Sequence, residues 1–501
     1  MPIKSPNPTP SDTTPDMEEI LSNEEVKSIK KRSVSGAISY FLKTAVLQLI
    51  GLASAFILSA FLEPEDFGVY GYVTQIIGLL IFFSDVGMAA SLVQKKDEPS
   101  LDDYRTAFSL QQLLSWLIVF AVFVIAQIRS VQTKVGAEGI WILYALAISF
   151  PLASLKTISS IKLERELKFS LLIVPQLAEQ IVFNCVLIFL AWRGYGVIAY
   201  AWAIATRSLI GTIIMLIIKP WSIGLKINLD SLKHLLGFGV KFQLNDFLAR
   251  VKDQLYYLVL GQLLPLNQFG FVQWSKNWSM YPYNLTVQNV MAITFPTFSR
   301  LQHRPDLLKK ALEKSIFFIS LLIFPILMAM VVLIQPLTVV IEHYAKWQPA
   351  VMSFIMFALS VGWAAISTPM VNALNAIGHI NKSLKLMIIW TVLTWVITPI
   401  TMWFYGFEGV AMAALIISFS SVLSIYYVKQ VVNVDVWQQV WRQLLGSLAM
   451  GTVGIGLNSF ATQDIWRFLL SGILLCFSYA MVVMIVGHTK VIAEIKSLRS
   501  R

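Results

Sequence analysis

Five ionisable residues fall inside one stretch of membrane-spanning length, Gly237 to Leu264: Lys241, Asp246, Arg250, Lys252 and Asp253. A charge facing hydrocarbon at mid-bilayer costs about 2.5–3.5 kcal/mol. The stretch is therefore expected to face water or other polar groups. Asp246, Arg250 and Asp253 are spaced four and three apart, and on a helix Gln243, Gln254 and Tyr257 join them on one side. Two chemistries fit this stripe. The planar guanidinium of Arg250 suits phosphate, because its fork makes two parallel charge-assisted bonds. Alternatively, Arg250 pairs internally with Asp246 and Asp253. Lys241 and Lys252 fall on the other face; Lys241 is near a span end, where it can snorkel, and Lys252 fits neither scheme.

The next apolar segment carries Gln273, Asn277, Asn284 and Gln288 along one face, with Lys276 at its edge and Trp274, Trp278 and Tyr283 among them. Amides bond sugar hydroxyls and aromatic rings stack on sugar C–H faces. An interfacial aromatic belt with interhelical hydrogen bonds accounts for the same residues. Pro282 is placed to kink this helix. Elsewhere, Lys43 and Asp85 fall at similar depth on neighbouring spans, Arg207 near the middle of a sixth, and Glu179, Gln180 and Asn184 near the middle of a fifth. Acids embedded in a membrane serve either as proton or sodium relays or as structural ion-pair partners.

Other site chemistry is not in evidence. All five histidines, His234, His303, His343, His379 and His488, fall in expected loops or at span ends, and no two have ligand spacing. No metal set, phosphate loop, nucleotide fingerprint or nucleophile elbow is found, so no cofactor is expected. Cys185 and Cys476 both sit inside apolar runs and read as inert buried thiols. The net charge of +11 is spread over short loops rather than gathered in a patch, which argues against nucleic acid.

The elements that must position these charges are membrane helices. Of 501 residues, 56% are apolar and 13% charged, and mean hydropathy is +0.68. Apolar runs of spanning length are read at 36–62, 69–93, 107–128, 139–161, 170–192, 196–218, 237–264, 267–297, 315–341, 350–374, 384–404, 407–428, 441–460 and 467–487. Residues 1–35 are rich in Pro, Ser, Thr and Glu and are expected to be disordered. No cleavable signal peptide is expected, and the first run reads as a retained span. Taking the tail as internal, alternate loops on that side carry about 27 of the Lys and Arg residues and those on the other about 5. The outer five are Arg129, Lys134, Arg193, Lys346 and Arg467. Both termini are therefore expected in the cytoplasm, and the protein in the inner (plasma) membrane.

An internal echo suggests duplication. Glu65-Asp66-Phe67-Gly68-Val69 follows the first span as Asn267-Gln268-Phe269-Gly270-Phe271 follows the seventh, and Gly196-Val197-Ile198-Ala199 pairs with Gly409-Val410-Ala411. Six helices separate each pair, so the halves run in the same direction. The expected fold is all-α and polytopic, with about 14 transmembrane helices. It has a tail (1–35), one six-helix lobe (36–218), a cytoplasmic linker (219–236), a second six-helix lobe (237–430), and a last helix pair with a basic tail (431–501).

Motifs now suggest a family. Phe61-Leu-Glu-Pro-Glu-Asp-Phe-Gly-Val-Tyr-Gly71, Phe83-Ser-Asp-Val-Gly-Met-Ala-Ala-Ser-Leu-Val-Gln-Lys-Lys-Asp97, Leu163-Glu-Arg-Glu-Leu-Lys-Phe169, Phe295-Pro-Thr-Phe-Ser-Arg-Leu-Gln302, Lys346-Trp-Gln-Pro-Ala350 and Asn372-Ala-Leu-Asn-Ala-Ile-Gly-His379, in this order, resemble the Wzx-type polysaccharide flippases. The resemblance implies the multidrug/oligosaccharidyl-lipid/polysaccharide exporter fold and alternating access. It implies an undecaprenyl-diphosphate-linked oligosaccharide as substrate, crossing among membrane lipids, with polysaccharide polymerase and export machinery as partners. On this reading Arg250 meets the diphosphate, with Lys43, Arg207 and Lys276 as further cations. Gln273, Asn277 and Asn284 bind sugar, and Asp85, Glu179 and Asp253 are candidates to couple a proton or sodium ion. The rival enzyme, a polymerase or glycosyltransferase, needs a larger outer loop than the 4–12 residues or so read here. A drug or lipid II exporter of the same fold remains an alternative.

Overall fold

The computed structural model describes residues 44, 46–84, 87–95, 97–233, 235 and 253–499; for residue 82 and residues 488–499 it describes the backbone alone. Among the described residues every regular element is helical. The first half contains α1 (Val46–Phe61), α2 (Pro64–Leu80), α3 (Met88–Gln94), α4 (Leu101–Gln127), α5 (Arg129–Arg165), α6 (Phe169–Trp192) and α7 (Ile198–Ile218). The second half contains α8 (253–263), α9 (Leu266–Tyr283), α10 (Asn289–Arg300), α11 (Pro305–Val340), α12 (Val351–Ala376), α13 (Ile380–Tyr405), α14 (Glu408–Phe419) and α15 (Val422–Lys429). Two further helices, α16 (Val436–Ala461) and α17 (Ile465–Arg499), close the chain.

Ten helices among the described residues are long and apolar enough to cross a membrane. Of the other expected segments, 36–62 and 237–264 are helical over their described residues as far as 61 and 263, and 69–93 and 267–297 are helical with interruptions that have identifiable reasons. In 69–93, α2 gives way to a 3-10 turn at Ile81–Ser84, and Gly87, with φ of 75°, starts α3. In 267–297, a π turn at Asn284–Gln288 follows Pro282 directly. Proline removes an amide from the helical ladder, and a π turn lets the chain continue past the defect. The outside of the bundle is apolar: Trp403, Ile455, Trp466, Ile217 and Phe404 are each more than 70% exposed. So much aromatic and aliphatic surface fits lipid rather than water as the solvent. The chain is a multi-pass membrane protein.

One core joins α1, α2 and α4–α9 with Phe357 of α12 and Val410 of α14. A second runs through α9–α13, α15 and α16 around Trp274, Trp347 and Phe354. Helices α16 and α17 pack on α11 around Phe317, Met450 and Tyr479. The halves meet where α2 crosses α9. Pro64 opens α2 at a position where its missing N–H costs nothing, and the Asp66 carboxylate accepts the Glu63 N–H at 2.8 Å. The crossing is backbone on backbone: a Cβ on Gly68 would lie 1.9 Å from the Leu266 carbonyl oxygen, and one on Gly270 would lie 1.7 Å from that of Pro64.

Candidate functional site

The seam between the halves continues from that crossing along one face of α2. Gly71 takes the side chain of Gln273, and Gly78 that of Gln254; a Cβ would come within 2.8 Å and 2.6 Å of them. Gly68, Gly71 and Gly78 share a helix face at spacings of three and seven, and small residues are what let membrane helices approach closely. Tyr72 donates its hydroxyl to Gln262 Oε1 at 2.8 Å. Gln254 and Tyr257, the described end of the polar stripe, thus lie at this seam with Gln273.

Lys276 enters from α9 with its Nζ 3.5 Å above the Tyr257 ring. A cation over an aromatic face is stabilised by the ring quadrupole, and more so when desolvated. Asp253 lies within electrostatic range of both. With Tyr256 and Tyr257, Asp253 also lines a cavity of about 380 Å³ in the second half, walled by hydroxyls of α12–α14 such as Thr368, Thr394 and Thr398. Tyr256 and Thr398 hydroxyls are 3.0 Å apart, and Tyr283 and Thr368 hydroxyls are 2.8 Å apart.

The first half holds a separate charged group. Glu179 on α6 pairs with Lys156 on α5, and its carboxylate lies across the bare backbone of α7, where a Cβ on Gly211 would sit 1.8 Å from Oε1. One turn along α7, Arg207 rests 5.3 Å from the Phe183 ring and within electrostatic range of Tyr70, which stacks on Tyr200 at 3.9 Å. On α6 and α7 the lipid-facing residues are Val174, Ile181, Trp202, Leu209 and Ile213. Glu179 and Arg207 are on the opposite faces.

Of the residues singled out from sequence, then, Lys276, Asp253 and Tyr257 are brought together, and Glu179 lies against α7 at Gly211, one turn from Arg207. Gln273 is buried in the seam, Asn277 is exposed, and Asn284 starts the π turn. Lys43, Asp85, Gln243, Asp246, Arg250, Lys241 and Lys252 lie outside the described residues.

Trp274 is a packing residue in this structure rather than an accessible platform. Trp274 is fully buried, stacked on Trp347 at 4.7 Å, and donates to Ser59 Oγ at 2.8 Å; Trp278 adds a longer bond to the same oxygen. Sequence reasoning missed Ser59, Lys134, Lys156, Tyr344 and Lys346 as contributors. Of these, Lys346 alone falls in a motif legible in the sequence, Lys346-Trp-Gln-Pro-Ala350.

A polytopic helical bundle that holds charged groups inside each half is the build of a membrane transport protein. A family model for polysaccharide biosynthesis proteins matches residues 57–352, more than half of the 501 residues. The chain belongs to that family, and the resemblance to the polysaccharide flippases is borne out. Among curated relatives, the succinoglycan biosynthesis transport protein ExoT of Rhizobium meliloti (strain 1021) is 20% identical over 64% of this chain and 65% of its own length. The match therefore spans just under two thirds of that relative. The lipopolysaccharide biosynthesis protein WzxC of Escherichia coli (strain K12) is 20% identical over 80% of this chain and 81% of its own. Among solved structures, the lipid II flippase MurJ in an inward closed conformation superposes with a TM-score of 0.71 at 17% identity, covering 91% of this chain and 100% of that one. An inward-facing multidrug resistance transporter of the MATE family superposes at 0.59 with 14% identity, over 79% and 98%. The chain shares the fold of these two proteins.

Proposed function

We propose that this chain carries an undecaprenyl-diphosphate-linked oligosaccharide from the inner to the outer leaflet of the plasma membrane, for cell-surface or exopolysaccharide synthesis. The observation that carries the reading is Lys276, a cation held inside the second half beside the seam, 3.5 Å over Tyr257 and within electrostatic range of Asp253. A diphosphate is the class of group that repays the cost of holding such a cation there. Relatives named for succinoglycan transport and lipopolysaccharide biosynthesis support the sugar-lipid class.

In this reading about 14 helices cross the membrane, both termini are cytoplasmic, and the lobes 36–218 and 237–430 rock about the α2–α9 crossing to expose the seam alternately. The reciprocal contacts of Gly68 and Gly270 support two equivalent lobes. Arg250, Lys43, Arg207 and Lys276 meet the diphosphate, while Gln273, Asn277 and Asn284 meet sugar. Asp85, Glu179 and Asp253 couple a proton or sodium ion, and a polymerase takes up the product.

The test is export in a deletion strain complemented with variants. Lys276→Met and Arg250→Ala are expected to abolish export and leave lipid-linked sugar in the inner leaflet, with the protein still in the membrane. Full export by both variants would overturn the phosphate role.

A further inference from the structure

Two lysines from opposite halves close one end of the seam in equivalent ways. Lys134 lies on a short helical foot at the start of α5, before the break at Gly136, where φ is 68° and ψ 179°. Its Nζ donates to the carbonyl oxygens of Gln262 at 3.1 Å and Leu264 at 2.6 Å. Lys346 lies on the 3-10 segment Glu342–Ala350, the foot of α12. Its Nζ donates to the Ala60 carbonyl oxygen at 3.0 Å and to Glu63 Oε1 at 3.1 Å. Each lysine thus reaches out of its own half and binds the last turn of the first described helix of the other, α8 in one case and α1 in the other. Gln262 stands 202 positions after Ala60, the offset that also separates Gly68 from Gly270. The two contacts are related by the same approximate symmetry as the crossing.

The last carbonyls of a helix have no amide partner within it, and a cation there also meets the negative end of the helix dipole. A charge-assisted bond at such a place is among the stronger polar contacts available. Neighbours reinforce the second lysine: Tyr344 donates to the Phe56 carbonyl, and Trp347 Nε1 donates to that of Ser59 at 2.7 Å. Because both caps are supplied across the seam, the halves cannot part at this end without stripping both helix ends of them.

We propose that Lys134 and Lys346 are paired latches that hold this end of the seam shut and release together when the transporter opens there. The proposal rests on the alternating-access reading above, and its test needs no substrate. The full chain, with Cys185→Ser and Cys476→Ser, carries Ser59→Cys as a reporter, since Ser59 is fully buried at the seam. Membrane-impermeant maleimide is applied to reconstituted protein from the side of this end.

Lys134→Met and Lys346→Met are each expected to raise the labelling rate about fivefold, and the double variant by about the product, as for two independent contacts of this kind. Lys134→Arg and Lys346→Arg, which keep a cation, are expected to stay near the background rate. An unchanged rate in the folded double variant would overturn the latch, as would labelling that rises only in step with unfolding. If the double variant does not fold, the single variants decide by the same rate. Raised labelling together with no sugar export by the unsubstituted chain would count against the flippase reading and leave the latch standing. Normal export with unchanged labelling would do the reverse.

Discussion

Gly68 and Gly270 each place bare backbone against the turn that precedes the other: Gly68 against Leu266 and Gly270 against Pro64. This contact sets how near α2 and α9 can come, and with it the geometry of everything that lines the seam. Gly68→Ala and Gly270→Ala are each expected to lower stability by about 1–3 kcal/mol, because a methyl would be driven into a carbonyl group that cannot swing aside. Thermal unfolding in detergent reads this directly. Gly456→Ala on α16, where a Cβ meets nothing within 4 Å, is the control and should stabilise by about 0.5–1 kcal/mol through helix propensity.

The Lys156–Glu179 pair tests whether the first-half charges are structural or functional. Lys156→Met or Glu179→Gln alone leaves a partly buried charge uncompensated and is expected to cost about 1–3 kcal/mol. The double variant Lys156→Met/Glu179→Leu should recover most of that loss. Export that recovers with stability would make the pair structural glue. Export that stays lost in the stable double variant would place the pair in transport.

Arg165 explains one of the recognised motifs. Its guanidinium donates to the carbonyls of Leu92, Val93, Lys95 and Asp97 at 2.8–3.1 Å, tying the end of α3 to the end of α5. Arg165→Ala should raise hydrogen exchange across residues 87–95 by about tenfold, equivalent to roughly 1.4 kcal/mol of local opening. Arg165→Lys should rescue little, since an ammonium cannot span four acceptors as a planar fork does.

Hydrogen bonds from Lys168 and Lys219 hold the exposed Glu166 carboxyl down at about 2. Lys219 begins the segment joining the halves, and its contact with Glu166 fastens that segment to the end of α5. A carboxyl held below its unfolded value, about 4.3, contributes stability above that value and loses it as pH falls toward 2. Acid unfolding between about pH 4.3 and 2 should therefore be shallower in Glu166→Gln. High salt should erase the difference, because the pair is at the surface.

Much of this architecture is legible without coordinates. Apolar length marks membrane helices, because lipid forces each backbone polar group to bond within its own segment. The turn residues Pro64 and Gly68 and their counterparts Leu266 and Gly270 stand out as an echo, and Lys276 stands out as a charge among apolar neighbours. Contacts between remote parts of the chain are not legible in this way. Trp274 reads equally well as a sugar platform or a packing residue until Trp347 and Ser59 are seen against it.

The sequence by itself determined that this is a polytopic helical membrane protein, because hydrophobic length and charge placement are local properties of the chain, and its motifs carried the resemblance to the polysaccharide flippases. Only the tertiary structure decided which charges meet. Nothing in the sequence says what the Lys134 and Lys346 ammonium groups bind, and every helix ends in the same unbonded carbonyls. Their partners lie more than a hundred residues away, and packing alone selects α8 for one lysine and α1 for the other.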